Sequence, residues 1–206
     1  IKTEHQKVDV LMNNAGAIFQ KREFTVDEFE KTFALNHLGH FLLTMELMDL
    51  LIASKSRVIN VSSEAHKMGN LNFEDLQWEN RKYNALKAYG DSKLCNIYFS
   101  RELHRRFGED GITAFSCHPG VVRTNFAGES TGFYKFVLKM IQPFMISPES
   151  GAKTQLYLAT AEGIERLSGK YFDKSKVAIT APQAKNEQAA IQLWEMSEQM
   201  VASYRS

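Results

Sequence analysis

Apolar residues follow two rhythms along the chain. Short continuous runs stopped by turn residues occur in "VDVLMNNAG" (8–16), "RVINVSS" (57–63), "TAFSCHPG" (113–120) and "GKYFD" (169–173). Each reads as a buried strand. Longer segments between them repeat at helical spacing. Thr25 to Leu51 carries Phe29, Phe33, Leu38, Phe41, Leu42 and Met45, and Thr25 with Glu28 has the spacing of a capping box. Ala88 to Phe107 predicts a helix ended by "GEDG", and Ser147-Pro148 opens another as N-cap and first turn. Residues 184–203 predict a closing amphipathic helix through Leu193, Trp194 and Met200. Residues 69–84 are polar and irregular, a surface excursion, and 130–147 are apolar and aromatic.

Strands alternating with long helices build a parallel sheet, because parallel neighbours need crossover connections. Uninterrupted apolar strands suit a sheet covered on both faces. The expected fold class is therefore α/β, with no internal repeat and no low-complexity linker.

Composition narrows the function classes. The 206 residues fit a single domain, and 25 basic against 24 acidic residues leave a formal charge of +1. That balance gives no reason to expect a nucleic-acid partner. Cys95 and Cys117 show no metal-ligand spacing and read as free thiols in a reducing compartment. The six histidines include no HExxH, so no metal site is expected. No apolar run approaches the ~18 residues needed to span a bilayer. The chain starts at Ile1, so it is expected to be part of a longer protein whose anchor or targeting segment would lie upstream.

Ligands of open parallel sheets bind beyond the carboxyl ends of the strands. The unusual residues fall there: Asn13 to Gly16, Ser62 and Ser63, and His118 to Gly120. Tyr89 and Lys93 stand four apart in "AYGDSKLCN" and so share one helix face. An ammonium at about 4 Å is worth roughly 4 kcal/mol at an effective dielectric near 20, enough to bring a phenol from about 10 toward 7. A pair so poised could pass a proton to or from an alcohol, with Ser63 donating to the same oxygen. A surface tyrosine and lysine at chance spacing is the bland alternative.

"NNAG" (13–16), "ALNHLGHF" with Asn36, "RVINVSS" with Ser63, "YGDSK" with Tyr89 and Lys93, and "HPGVVRT" (118–124) together resemble the short-chain dehydrogenase/reductase family, over essentially the whole chain. "NHLGHFLLT", "SKLCNIYFSRELHRRF" and "NEQAAIQLWEMSEQMV" resemble its retinol dehydrogenase branch. The resemblance implies a Rossmann-type doubly wound parallel sheet. It implies Tyr89 as general acid/base and Lys93 as the group that lowers its pKa and bonds the nicotinamide ribose. Ser63 would hold the substrate oxygen, Ser62 being the alternative that family spacing disfavours. Asn36 would hold a water linking Lys93 to solvent, or else make a helix kink or a buried polar bond. Asn13, Ala15 and Gly16, with Pro119, Gly120, Val122 and Thr124, would line the cofactor, NADP(H) ahead of NAD(H). The segment 130–147 would be a substrate lid in which Phe133, Phe136 and Met140 face a retinol-like alcohol. Core packing or a shallow membrane contact would explain the same residues.

The family's opening strand and TGxxxGxG turn have no counterpart in the 206 residues. The first strands and the cofactor loop are thus expected to be missing, leaving weak dinucleotide binding by the chain alone. The expected reaction interconverts an apolar alcohol and its aldehyde or ketone. Alternatives are a steroid or lipid carbonyl reductase on the same site, or a non-catalytic relative acting as a protein-interaction module. By resemblance the location would be the endoplasmic reticulum membrane, the cytoplasm or a mitochondrion. The oligomeric state is left open.

Overall fold

A computed structural model describes residues 2–120 and 147–205. The apolar runs become β1 (Val10–Asn13), β2 (Arg57–Val61), β3 (Thr113–His118) and β4 (Tyr171–Asp173), parallel and adjacent in chain order. A two-residue strand, β5 (Lys176–Val177), turns back antiparallel on β4. The expected α/β parallel sheet is therefore present. It gains an antiparallel edge that two exposed residues could not signal.

Alternation along each strand sorts side chains to two faces. Val58, Ala114 and Tyr171 pack into the larger apolar cluster, while Ile59, Val61, Phe115, Cys117 and Phe172 form the smaller one on the other face. The larger cluster is closed by α1 (Lys31–Phe33), α2 (Gly39–Glu46), α3 (Met48–Ser54), α4 (Ala85–Phe107) and α6 (Glu187–Val201). Phe41, Phe99 and Trp194 stack edgewise or tilted at its centre, with ring centroids 4.9 to 5.8 Å apart. The smaller cluster is covered by α5 (Pro148–Thr160) through Leu158. Helices on both faces explain the uninterrupted apolar strands.

Three expectations need correction. The Thr25–Glu28 pair closes a turn but caps no helix: the Thr25 hydroxyl accepts from Asp27 and Phe29 amides, and Glu28 sits at φ +63°. The helix starts six residues beyond Thr25, where Glu30 accepts from the Thr32 and Phe33 amides. The expected single helix is also interrupted by a π-helical turn, Ala34–Leu38. Within 69–84, Leu76 and Trp78 are buried, so that excursion is packed against the body.

Candidate active site

Parallel register brings three strand ends to one rim: Asn13 is level with Asn60, and Val61 with Cys117. The chain leaves this rim through Asn14–Gly16, Ser62–Ser63 and Pro119–Gly120. Ala15 is exposed, Gly16, Pro119 and Gly120 are half-buried, and Gly120 adopts φ +88°.

Helix α4 supplies the fourth side. Asn84 caps it by accepting from the Lys87 amide. Tyr89, half-buried, and Lys93 then fall on one face, with the Lys93 Nζ 5.4 Å from the Tyr89 ring centroid. Lys93 is almost wholly buried and donates to the Val61 carbonyl at 3.0 Å. Burial lowers its amine from 10.5 to about 8, so at neutral pH it still carries its proton.

Gly16 closes this corner. A Cβ there would lie 3.0 Å from Asn36 Oδ1 and 3.2 Å from Lys93 Nζ. The "NNAG" turn therefore reaches the amine and the Asn36 amide because residue 16 has no side chain.

Asn36 lies in the π-helical turn, fully buried. Its Oδ1 accepts from the Ala17 amide, and its Nδ2 donates to the Ala17 carbonyl and to Ser92 Oγ, each at 2.9 Å. The buried polar bond is made, within a turn wound as π-helix, and both side-chain donors are used. A water held by this side chain would have to use the remaining Oδ1 lone pair.

The two serines separate cleanly. Ser62 is buried and its hydroxyl donates to the Lys93 carbonyl at 2.7 Å, tying β2 to α4. Ser63 is half-buried and caps the 3-10 turn Glu64–Met68, its Oγ accepting from the Ala65 amide at 3.2 Å. This turn lies directly on the start of α4: a Cβ on Gly90 would stand 2.8 Å from the Ala65 carbonyl oxygen. Ser63 and Tyr89 are thus carried by backbones in contact.

Asn13 turns inward. It is buried, and its Nδ2 donates to Asn60 Oδ1 at 2.8 Å and Thr44 Oγ1 at 3.0 Å. Its side chain braces the sheet, so a cofactor contact at residue 13 would be made by backbone. Val122, Thr124, Phe133, Phe136 and Met140 lie outside the described residues.

Sequence reasoning passed over the supporting residues. Ser92, Asn96 and Ser100 repeat every four residues on α4, in a stretch buried all round. Ser92 accepts from Asn36, Asn96 donates to the Val61 carbonyl, and Ser100 accepts from Asn60. Polar residues at that period, interleaved with Leu94, Cys95, Ile97 and Phe99, were a visible signal. Among the described residues no cluster of ligating side chains could hold a metal ion, and no helix is long and apolar enough to cross a membrane.

Comparisons with known proteins bear on the family. The family model for short chain dehydrogenase matches residues 1–134. Human retinol dehydrogenase 13 is 45% identical over 205 residues, covering 96% of this chain and 62% of that protein. Human retinol dehydrogenase 12 is 42% identical, covering 94% and 61%. The chain thus spans about three fifths of the length of the curated relatives it matches. A solved structure of an uncharacterised protein from Mycobacterium paratuberculosis superposes with a TM-score of 0.75 at 32% identity, over 97% of this chain and 69% of that one. An NADPH-bound carbonyl reductase from chicken fatty liver shares the fold, with a TM-score of 0.59 at 22% identity over 87% and 68%. With the rim, the Tyr89–Lys93 face and the Asn36 corner assembled, the chain belongs to the short-chain dehydrogenase family.

Proposed function

We propose that this chain carries the proton-handling side of an oxidoreductase that interconverts an apolar, retinol-like alcohol and its aldehyde or ketone. The observation that carries the reading is the seating of a buried Lys93 amine against the Tyr89 ring on the rim that Ser63 shares. A positive charge over the ring favours negative charge on the phenol oxygen, which lets Tyr89 exchange a proton with the substrate oxygen. Ser63 donates to that oxygen, and Asn36 holds the Ala17 backbone and thereby the corner behind Lys93.

The rim suits a nicotinamide cofactor. Gly16 leaves room that a Cβ would fill beside Lys93, and Ala15, Pro119 and Gly120 present small or rigid backbone. Residues Ala15, Gly16, Pro119 and Gly120, with the Asn13 backbone, Val122 and Thr124, would hold it, and when bound it supplies or accepts the hydride. NADP(H) is favoured over NAD(H) by the resemblance to retinol dehydrogenases. The substrate class rests on the same relatives, as does a location at the endoplasmic reticulum membrane, in the cytoplasm or in a mitochondrion. Phe133, Phe136 and Met140 would form the substrate lip.

The test is Tyr89→Phe, with reduction of a retinoid aldehyde by NADPH as the assay. Turnover should fall about 100-fold to 10,000-fold, while cofactor affinity, read by fluorescence titration, stays unchanged. Turnover retained in the variant would remove Tyr89 from the role.

A further inference from the structure

Ser63 is held by a side chain outside the set named above. His66 lies in the 3-10 turn that Ser63 caps and is fully buried. Its Nδ1 is 2.6 Å from the Ser63 carbonyl oxygen and its Nε2 is 3.2 Å from the Ala181 amide nitrogen. A carbonyl can only accept and an amide N–H can only donate. One protonation state satisfies both partners: a neutral imidazole with its proton on Nδ1. The ring also packs on Tyr171, centroids 5.0 Å apart.

Ala181 begins a short strut that grips the same turn again. Gln183 Nε2 donates to the Lys67 and Gly69 carbonyls at 3.1 and 2.9 Å. The strut is pinned to α4, where the Tyr98 hydroxyl donates to the Gln183 carbonyl and Arg101 to the Ala184 carbonyl. The Ser63 turn is therefore clamped between α4 and residues 181–184. His66 is the point at which the strut reaches the Ser63 peptide itself.

We propose that His66 is a positioning residue: as the Nδ1–H tautomer it fixes the Ser63 peptide, and so the aim of the Ser63 hydroxyl, while protonation would break its tie to Ala181 on the strut. The proposal rests on the reading of Ser63 and Tyr89 as partners of the substrate oxygen. Protonation would place a second N–H on Nε2, facing the Ala181 N–H, and two donors cannot share that contact. Glu64 and Lys67 flank the ring from its own turn, His118 faces it from β3 and Tyr171 from β4. Burial, with the Lys67 charge, outweighs the Ser63 carbonyl bond and the Glu64 charge and keeps the imidazole below its ordinary pKa, so the neutral clamp persists at physiological pH.

The first measurement is a long-range proton–nitrogen correlation spectrum of protein labelled with nitrogen-15 histidine. It should show His66 neutral and protonated on Nδ1 at neutral pH; an Nε2–H tautomer or an imidazolium overturns the proposal. The second is kinetic. His66→Gln, which reaches toward Ala181 but not the Ser63 carbonyl, should lower kcat about 10-fold to 100-fold by misplacing Ser63, with the KM for cofactor unchanged. His66→Asn places a donor where Nδ1 stands and should keep kcat within about threefold of the parent. In a Ser63→Ala background, His66→Gln should cost nothing more. An equal further loss there would show a general packing effect and overturn the proposal. The tautomer is read without turnover, so its failure is distinguished from a failure of the catalytic reading.

Discussion

At the scale of single residues, the site is built at the expense of stability. Lys93 is the clearest case. Its pKa is about 8 in the fold against 10.5 when exposed, because burial penalises the charged form. The native state therefore binds this proton more weakly than the unfolded chain. The cost is full below pH 8, shrinks as pH rises toward 10.5, and at neutral pH amounts to about 3 kcal/mol at about 1.4 per unit. Lys93→Met removes the charge and keeps an unbranched apolar stem. It should raise stability by up to about 3 kcal/mol while abolishing turnover, as read by urea denaturation alongside the NADPH assay. An unchanged or lowered denaturation midpoint would mean that the amine is better solvated than its surroundings indicate. The spacing of Tyr89 and Lys93 was legible because a helix repeats every 3.6 residues. The engagement of Asn13 and Asn36 was not. Each bonds residues at least 19 positions away, and sequence order carries no record of such pairs.

At the scale of elements, β1 to β4 and α4 to α6 followed from pattern because each rests on an apolar run or repeat or a strong local signal. Ser147 and Pro148 behaved as an N-cap and first turn. The segment from Thr25 misled for a physical reason: two acidic residues compete to start it. Glu28 has the box spacing but a left-handed backbone. Glu30 is buried, and besides the two helix amides it accepts from the Tyr83 hydroxyl at 3.0 Å. Glu30→Ala should therefore cost about 2 kcal/mol, since it orphans two buried amides. Glu28→Gly should be neutral or stabilising, because glycine tolerates φ +63°. Denaturation curves of the two variants decide it, and the reverse ranking would restore the Thr25–Glu28 box. The π-helical turn also went unread, although the step of five from Phe33 to Leu38 breaks the three-and-four rhythm of the apolar repeat at that point. It is where Asn36 sits, in keeping with the frequent placement of π turns at functional sites.

At the scale of the whole molecule, the larger apolar cluster is threaded with imidazoles, and this makes the fold sensitive to acid. Burial pushes His37 down to about 3 and His40, beside the Lys93 charge, down to about 4, from 6.5. Above pH 6.5 these rings are neutral folded or unfolded and contribute no pH dependence. Below it the unfolded chain takes protons that the native state refuses, and each ring removes about 1.4 kcal/mol per pH unit. Asp91 works in the opposite sense. Burial raises it from 3.8 to about 6, so the native state gains a proton first and is favoured as pH falls from 6 to 4. Two losses against one gain leave a net fall of about 1.4 kcal/mol per unit over that range. His66 and His118, both lowered by burial, deepen it. A series of urea denaturations should thus show a nearly level midpoint between pH 8 and 6.5, where Lys93 has reached its full cost, and then a steady decline to pH 4. A midpoint that stays level to pH 4 would mean that water reaches His37 and His40, and with them the inner wall behind Asn36 and Lys93.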